Sequence, residues 1–259
     1  MKQKRSRVTH VLILIVMFFL FTFLHYFIYR IKLEVIDYIS QQTIVKEIEH
    51  EPEVISILVE REELDYNHFK TVQLNTENIL QNPELPTGCE VTSLTTVLNY
   101  LGYDIDKVLL SDLFLPKGEI GKTHPNKAFI GNPRDKSAYG ANAPVLVNTA
   151  NDYLKYVQGK HYAYNMSSSE FTDLLKYVND GYPVMFWGTM YMKDGYPSTK
   201  WIIDNETVQW YARFHCMVLI GYTEDTYIIA DPLQGIVEYD KDLVEKRYNE
   251  LGKQAIVIY

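Results

Sequence analysis

LPTGCEVTSLTTVLNYLG, from Leu85 to Gly102, is the stretch of sequence that decides the fold. A loop marked by proline and glycine ends at Cys89, and apolar residues then recur at helical spacing through positions 91, 94, 97, 98 and 101. Gly102 is typical of the residue that follows the C-terminus of a helix. The pattern therefore predicts a helix whose first turn carries the thiol of Cys89.

The position of Cys89 predicts a reactive thiol. The first turn of a helix presents unpaired backbone N–H groups and the positive end of the helix dipole, and both favour a negative charge. A cysteine in this position can have its pKa lowered from about 8.5 into the range of roughly 3.5–7.5. Because a thiolate at a helix start is one half of a cysteine hydrolase, we expect a general base elsewhere in the chain.

His215 is the histidine best placed to be that base, since it lies in a strongly apolar predicted strand. If residues 221–225 form a five-residue hairpin loop, Ile220 pairs with Thr226 and His215 lies opposite Asp231. Directly opposed residues share a face of the sheet with Cβ atoms about 5 Å apart, so the pair could act as base and orienter. A buried core histidine is the alternative, and a one-residue slip would separate the pair.

Cys216 is the second of the two cysteines in the chain. As the neighbour of His215 in a strand it is expected to point to the opposite face, where it packs as a small apolar residue. If His215 faces Cys89, then Cys216 faces away from it, and we expect no disulfide between them.

Gln81 is the candidate side-chain donor for an oxyanion site, eight residues before Cys89. The backbone N–H of Cys89 would supply a second donor. An ordinary loop amide is the alternative role for Gln81. Thr87 and Glu90 are expected to be helix-start residues rather than catalytic ones.

The charge of the chain is unevenly placed. The net charge is −8, and residues 1–30 hold five basic side chains and no acidic one, which leaves −13 for the rest. An acidic body argues against nucleic acid as a partner, because phosphate binding needs clustered Lys and Arg. The sequence also contains no metal-type cysteine pair and no Walker glycine loop, so we expect neither a metal nor another cofactor.

The N-terminal region predicts a membrane anchor. Residues 1–10 form a basic cytoplasmic segment. The 19 residues 11–29, apolar except for Thr22 and His25, span roughly 28 Å at about 1.5 Å each, close to the thickness of the bilayer core. Bulky residues rather than a small-residue cleavage site follow, so the span is expected to stay in place. Residues 30–73 are interpreted as an acidic stalk, and residues 74–259 as a catalytic domain outside a single-pass cell membrane.

Helical and strand patterns are segregated along residues 74–259, and this segregation predicts an α+β fold. Further helices are predicted at 148–157 and 169–179. The run SSSE at 167–170 offers N-capping for the second of these helices, and Gly181 ends it. Strands are predicted at 183–188, 214–220, 227–230 and 255–259. Residues 117–144 are expected to form a long loop.

Three segments together resemble the C39-like bacterial cysteine peptidases: QNPELPTGCE at 81–90, the strand containing His215, and DPLQG at 231–235. This family is related to the leader-peptide protease domains of bacteriocin-exporting transporters. The resemblance covers roughly residues 75–259 and implies a papain-like fold with an N-terminal catalytic helix and a C-terminal antiparallel sheet. It also implies the site roles: nucleophile, general base, orienter and oxyanion donor for Cys89, His215, Asp231 and Gln81, respectively.

The sequence therefore predicts a membrane-anchored, extracellular cysteine peptidase that hydrolyses amide bonds through a Cys-His-Asp triad. Its expected partner is a peptide or a peptidoglycan-like amide. Because no exporter-type nucleotide-binding region is present, cleavage of double-glycine leaders is not carried over from the resemblance. A non-catalytic papain-like binding domain, and a cell-wall amidase or acyl transferase with the same triad, remain alternatives.

Overall fold

The computed structural model describes residues 71–259. The predicted anchor at 11–29 and almost all of the predicted stalk lie outside the described residues. Within 71–259, no helix is both long enough and apolar enough to cross a bilayer.

Residues 71–259 combine five α-helices with a predominantly antiparallel set of strands. The helices are α1 (Cys89–Tyr100), α2 (Lys107–Leu113), α3 (Ala143–Tyr156), α4 (Phe171–Asn179) and α5 (Lys241–Glu250). The strands are β1 (Val72–Gln73), β2 (Lys117–Gly118), β3 (Phe129–Ile130), β4 (Ala163–Asn165), β5 (Val184–Thr189), β6 (Tyr196–Ile203), β7 (Glu206–Ala212), β8 (Phe214–Tyr222), β9 (Thr226–Asp231), β10 (Gly235–Asp240) and β11 (Ala255–Ile258). The predicted mixture of helices and strands is confirmed, although α5 between β10 and β11 was not anticipated.

The main sheet of the described residues has seven strands. Six of them follow the order β10-β9-β8-β5-β11-β4, and the short β1 pairs with the end of β8. Every pairing in this sheet is antiparallel. The central position of β8 explains its continuous apolar sequence, since a strand that is covered on both faces has no solvent side.

Two apolar clusters cover the two faces of this sheet. Cys216 and Val218 of β8 belong to the cluster formed with α1 and α3. Met217 and Leu219 belong to the cluster formed with α4 and α5. Alternate residues of one strand thus pack into separate cores. The core that contains Cys216 and Val218 holds α1 and its cysteine against the sheet.

Helix α1 begins and ends as its sequence predicts. Cys89 is its first residue after Gly88 at the N-cap, and Gly102 follows its end with a φ of +91°. Every residue from Cys89 to Leu98 is buried. The hydroxyl of Ser93 donates to the carbonyl oxygen of Cys216 over 3.1 Å, which ties the helix directly to β8.

The other two predicted helices begin at residues that differ from the predicted ones. Helix α3 begins at Ala143, five residues before the predicted start, because Pro144 suits the first turn of a helix. Helix α4 begins at Phe171, two residues after the predicted start, and its N-cap residue is Glu170, the last residue of the predicted capping run. The side chain of Glu170 makes no capping hydrogen bond.

The region expected to be a long loop has structure of its own. Residues 117–144 contain β2 and β3, which pair in parallel, and the first residues of α3. Strands β6 and β7 form a separate antiparallel hairpin. The ring of Tyr139 meets the edges of two tryptophans of this hairpin, with centroid distances of 4.7 Å to Trp201 and 5.6 Å to Trp210. Aromatic packing between distant segments therefore orders a stretch that has no periodic pattern.

Candidate active site

The thiol of Cys89 lies at the start of α1 with only 7% of the residue exposed. Its Sγ is 3.3 Å from Oε2 of Glu90. Among the described residues, the side-chain hydrogen-bond partner of the thiol is therefore Glu90 and not His215. The structure favours the thiol, not the thiolate.

The expected lowering of the Cys89 pKa is wrong for this structure. Burial raises the pKa of the thiol well above its ordinary value, and the nearby charges of Glu90 and Cys216 raise it further. A backbone hydrogen bond with Cys216 acts in the opposite direction. The helix start favours a thiolate, but the cost of placing a charge in a buried, acidic surrounding is larger.

His215 and Asp231 form a direct pair in the sheet. The Nε2 atom of His215 is 2.8 Å from Oδ1 of Asp231, and both side chains are buried. When Nε2–H donates to the carboxylate, Nδ1 of a neutral imidazole carries the lone pair that can accept a proton. The pair thus has the geometry of a base and its orienter.

The register that produces this pair differs from the predicted one. The loop between β8 and β9 consists of residues 223–225, rather than the expected five residues. A bulge also shifts the ladder, so that Val218 pairs with Ala230. The prediction that His215 lies directly opposite Asp231 is therefore wrong, and the two side chains meet on a diagonal.

The carboxylate of Asp231 is held in its ionised form by several donors. Burial by itself raises its pKa, but the hydrogen bond and charge of His215, together with hydrogen bonds from Gln234 and Leu233, bring the pKa below its ordinary value. The side-chain amide of Gln234 donates to Oδ2 over 2.8 Å, and the backbone N–H of Leu233 donates to Oδ1 over 2.7 Å. Asp231 is therefore an acceptor for an imidazole or imidazolium N–H.

Gln81 is buried in the loop before α1. Its side-chain Nε2 donates to the carbonyl oxygen of Pro86 over 2.8 Å, and its backbone N–H donates to that of Pro232 over 2.8 Å. The second of these bonds attaches the Gln81 segment to the residue that follows Asp231. One N–H of the side-chain amide is thus engaged locally and the other is available as a donor.

Residues adjacent in the chain bring the four predicted site residues into one region. The thiol of Cys89 meets the backbone of Cys216, the residue after His215. Gln81 is bonded to the residue after Asp231. The start of α1, the start of β8 and the end of β9 therefore meet. Among the four residues only His215 and Asp231 are hydrogen-bonded to each other, and alternation along β8 places the His215 side chain on the face opposite that of Cys216.

The position of Cys216 corrects another expectation. Its side chain packs in the same apolar cluster as Cys89, so the prediction that it faces away from Cys89 is wrong. Both cysteines are free. The residue does pack as a small buried apolar group, as expected.

Glu90 lies in the first turn of α1, as expected, but its burial against the thiol was not anticipated. It is fully buried, with Oε1 accepting from the backbone N–H of Ala141 over 2.9 Å and Oε2 next to the Cys89 thiol. Burial raises the pKa of this carboxyl to about 7, against opposing hydrogen bonds. The sequence carried a signal, since Glu90 is the sole charged residue in α1.

A pocket of about 320 Å³ lies beside this region. Its lining includes Phe214, the residue before His215, and Trp210 and Gln209 of β7. Within residues 71–259, no group of three or more His, Cys, Asp or Glu side chains is arranged to hold a metal ion.

These features define a class: a mixed α/β protein in which a cysteine at a helix start packs against a sheet that carries a buried histidine–aspartate pair. The sequence profile of the Peptidase_C39 like family matches residues 71–256, and the chain belongs to this family.

Two relatives place the chain within known proteins. It is 27% identical over 187 residues to YvpB, an uncharacterized protein of Bacillus subtilis (strain 168), covering 70% of this chain and 72% of that one. It is 31% identical to a Bacillus anthracis protein assigned as a C39-like peptidase, whose crystal structure superposes with a TM-score of 0.67. That match covers 74% of this chain and 98% of the other.

Proposed function

We propose that this chain is a cysteine peptidase that hydrolyses amide bonds through Cys89, His215 and Asp231. The observation that carries the proposal is the buried hydrogen bond between His215 and Asp231, one residue along β8 from Cys216, whose backbone bonds to the thiol of Cys89. Membership of the C39-like family and the likeness to the Bacillus anthracis protein support the same reaction class.

The reaction begins with proton transfer from the Cys89 thiol to Nδ1 of His215, the ring nitrogen that is not bonded to Asp231. The sulfur attacks the substrate carbonyl carbon, and a tetrahedral oxyanion forms. His215 then gives its proton to the leaving amine as the C–N bond breaks, which leaves a thioester on Cys89. Water deprotonated by His215 attacks the thioester and restores the thiol.

Gln81 and the backbone N–H of Cys89 are the proposed oxyanion donors. Gln81 lies in the loop directly before the nucleophile, and its side-chain amide has a second N–H beyond the one that binds Pro86. Loss of one oxyanion donor lowers kcat by about 100-fold or more. We therefore expect Gln81→Ala to lower kcat far more than it changes KM.

The proposed substrate is a peptide, with a peptidoglycan-like amide as the second class. The pocket beside Phe214 lies where the chain flanking a scissile bond could bind. Acyl transfer is the variant reaction, in which an amine replaces water at the thioester.

The proposed location is the outer face of a cell membrane, with residues 11–29 as the anchor and residues 30–73 as the stalk. The proposal rests on the length and apolar composition of the first segment and the acidic composition of the second. Protease treatment of intact cells would degrade an extracellular domain and spare a cytoplasmic one.

The reaction is tested by incubating the full chain with peptide and cell-wall fragment libraries and identifying products by mass spectrometry. Cys89→Ala is the inactive comparison, and Cys216→Ala is the matched cysteine control outside the reaction. Products formed by wild type and Cys216→Ala but not by Cys89→Ala support the proposal. Identical product patterns for all three proteins would contradict it.

The burial of Cys89 and His215 also favours a second candidate, a non-catalytic binding domain of the same fold. In that case the libraries yield bound, uncleaved fragments that are retained equally by wild type and Cys89→Ala. The same experiment thus separates the two functions.

A further inference from the structure

Glu90 places a carboxyl group against the sulfur that the proposed reaction requires as a thiolate. The 3.3 Å contact between Oε2 and Sγ has the geometry of a thiol hydrogen bond, in which the S–H donates to the carboxylate. Because the thiol has Glu90 as its side-chain partner, its proton is directed toward the carboxyl and not toward His215.

The surroundings of Glu90 do not neutralise its charge. Among the described residues the groups that act on it are the backbone N–H groups of Ala141 and of Glu90 itself, and the thiol of Cys89. No Lys, Arg or His of residues 71–259 pairs with it. A carboxylate without a cation in a buried site is costly, so this group favours its protonated form to a higher pH than an exposed glutamate.

The backbone around Glu90 is shaped to admit the carboxyl. Gly140 has a φ of +151°, and a Cβ atom at that position would lie 2.3 Å from Oε1. The next N–H, that of Ala141, donates to the same oxygen. Glu90 is therefore enclosed from one side by the 139–141 segment and from the other by the nucleophile.

We propose that Glu90 is a further catalytic group that controls the nucleophile: when ionised it holds Cys89 as a thiol, and when protonated it releases Cys89 to become a thiolate. This inference rests on the proposed peptidase function, because it concerns the activation of the same sulfur.

The release step balances in protons and charge. With Glu90 neutral, the S–H bond of Cys89 breaks, the proton passes to Nδ1 of His215, and the electron pair stays on Sγ. The O–H of Glu90 can then donate to the thiolate. With Glu90 ionised, the same step would leave two negative charges in contact at 3.3 Å, and the thiol form is retained.

Two titratable groups face Glu90 from the elements packed against it. They are Cys89 on its own helix and Cys216 on β8, whose thiol pKa is raised by burial first and then by the charge of Glu90. The facing segment around Gly140 contributes a backbone donor and the ring of Trp210 nearby, and neither of these titrates. His215, which accepts the Cys89 proton in the proposed reaction, is unchanged in Glu90→Gln, so a pH-dependent difference between wild type and this variant is assigned to Glu90.

The test is the rate of alkylation of Cys89 by iodoacetamide, measured by peptide mass spectrometry on the full chain at pH 6 and pH 8. Glu90→Gln keeps the size of the side chain and an acceptor for the Ala141 N–H, but cannot ionise. Glu119→Gln is the matched control, because the side chain of Glu119 is exposed and pairs with Lys122 rather than with a site residue.

The expected signature is a rate ratio that depends on pH. At pH 6 wild-type Glu90 is largely neutral, and Glu90→Gln should react within about threefold of wild type. At pH 8 wild-type Glu90 is ionised, and Glu90→Gln should react about tenfold faster, which corresponds to one unit in the pKa of Cys89. Because a change in access to the thiol scales both rates equally, a ratio that is the same at the two pH values would overturn the proposal.

A second measurement applies if Glu90→Gln does not fold. The infrared S–H stretching band of Cys89, isolated by subtracting the spectrum of Cys89→Ala, reports the thiol in the wild-type protein. The proposal expects this band to strengthen as pH rises from 6 to 8, opposite to the behaviour of an isolated thiol. A band that only weakens over this range would contradict it.

These readouts need no substrate. If the ratio of alkylation rates between Glu90→Gln and wild type depends on pH but no hydrolysis is found, Glu90 controls the thiol and the peptidase function is rejected. Hydrolysis with a pH-independent ratio would retain the function and reject the role of Glu90.

Discussion

His215 and Asp231 meet on a diagonal across the β8–β9 hairpin, and a bulge at Ile220 makes this possible. The ladder puts Val218 opposite Ala230 on the far side of the bulge. Asp231 therefore lies two residues out of direct register with His215, on the same face of the sheet, within reach of a 2.8 Å hydrogen bond.

Without the bulge the pair would be lost. The register at the hairpin tip, continued unbroken, would put Asp231 opposite Val218 and turn its carboxylate to the face that α1 covers. A shift of one residue exchanges the two faces of a strand. The three-residue loop and the bulge thus compensate for each other.

Replacing Asp231 by Asn should lower kcat by roughly 100-fold or more, because a neutral amide lacks the negative charge that stabilises the imidazolium of His215. The fold should persist, since Asn keeps the size and one acceptor oxygen. Asp225→Asn, an exposed change in the same hairpin, is the control and should leave kcat unchanged. Steady-state kinetics and circular dichroism check both variants, and an Asp231→Asn protein that is folded and fully active would contradict the proposed triad.

The stability difference between wild type and Glu90→Gln should depend on pH. Burial raises the pKa of Glu90 from 4.5 to about 7, so its stabilising contribution is fully present below pH 4.5 and is lost as pH rises through 7. Because Gln does not titrate, wild type should lose about 3 kcal/mol relative to Glu90→Gln between pH 4.5 and pH 8. Urea denaturation of both proteins at these two pH values measures the change. If the difference in unfolding free energy between wild type and Glu90→Gln is the same at both pH values, the pKa of Glu90 is not raised.

Gly140→Ala should destabilise the protein more than Gly181→Ala. Both glycines have positive φ, but an added Cβ meets Oε1 of Glu90 at 2.3 Å in the first case and nothing within 4 Å in the second. The backbone penalty for Ala is about 1–2 kcal/mol at either position, and the clash adds roughly 1–3 kcal/mol at Gly140 alone. Denaturant titration measures the loss of unfolding free energy in each variant. If the 139–141 segment can move away from the added Cβ, Gly140→Ala will lose no more than Gly181→Ala.

Trp201→Ala should increase the rate of Cys89 alkylation severalfold. The indole packs on Tyr139, which precedes the backbone that encloses Glu90, so its removal loosens that segment. Ile202→Ala is the control on the same strand, because Ile202 is 77% exposed. Hydrogen exchange of the Ala141 amide provides an independent measurement. Unchanged exchange and alkylation in Trp201→Ala would mean that the β6–β7 hairpin does not order the site.

Local sequence patterns predicted the main elements well. The helix from Cys89 to Tyr100 needed only an apolar repeat, a preceding loop and a following glycine, all of which act over a few residues. The strands β5, β8, β9 and β11 were recognisable for the same reason, since each is a short apolar run with turn residues nearby.

The sequence by itself determined which side chains are available for the site: a cysteine at a helix start, and a histidine and an aspartate in neighbouring strands. Only the tertiary structure decided how they are arranged, because a bulge at Ile220 and the burial of Glu90 depend on contacts between distant segments. Burial also reversed the expected effect on the thiol of Cys89. A helix terminus is a local property, whereas the cost of a charge depends on everything packed around it.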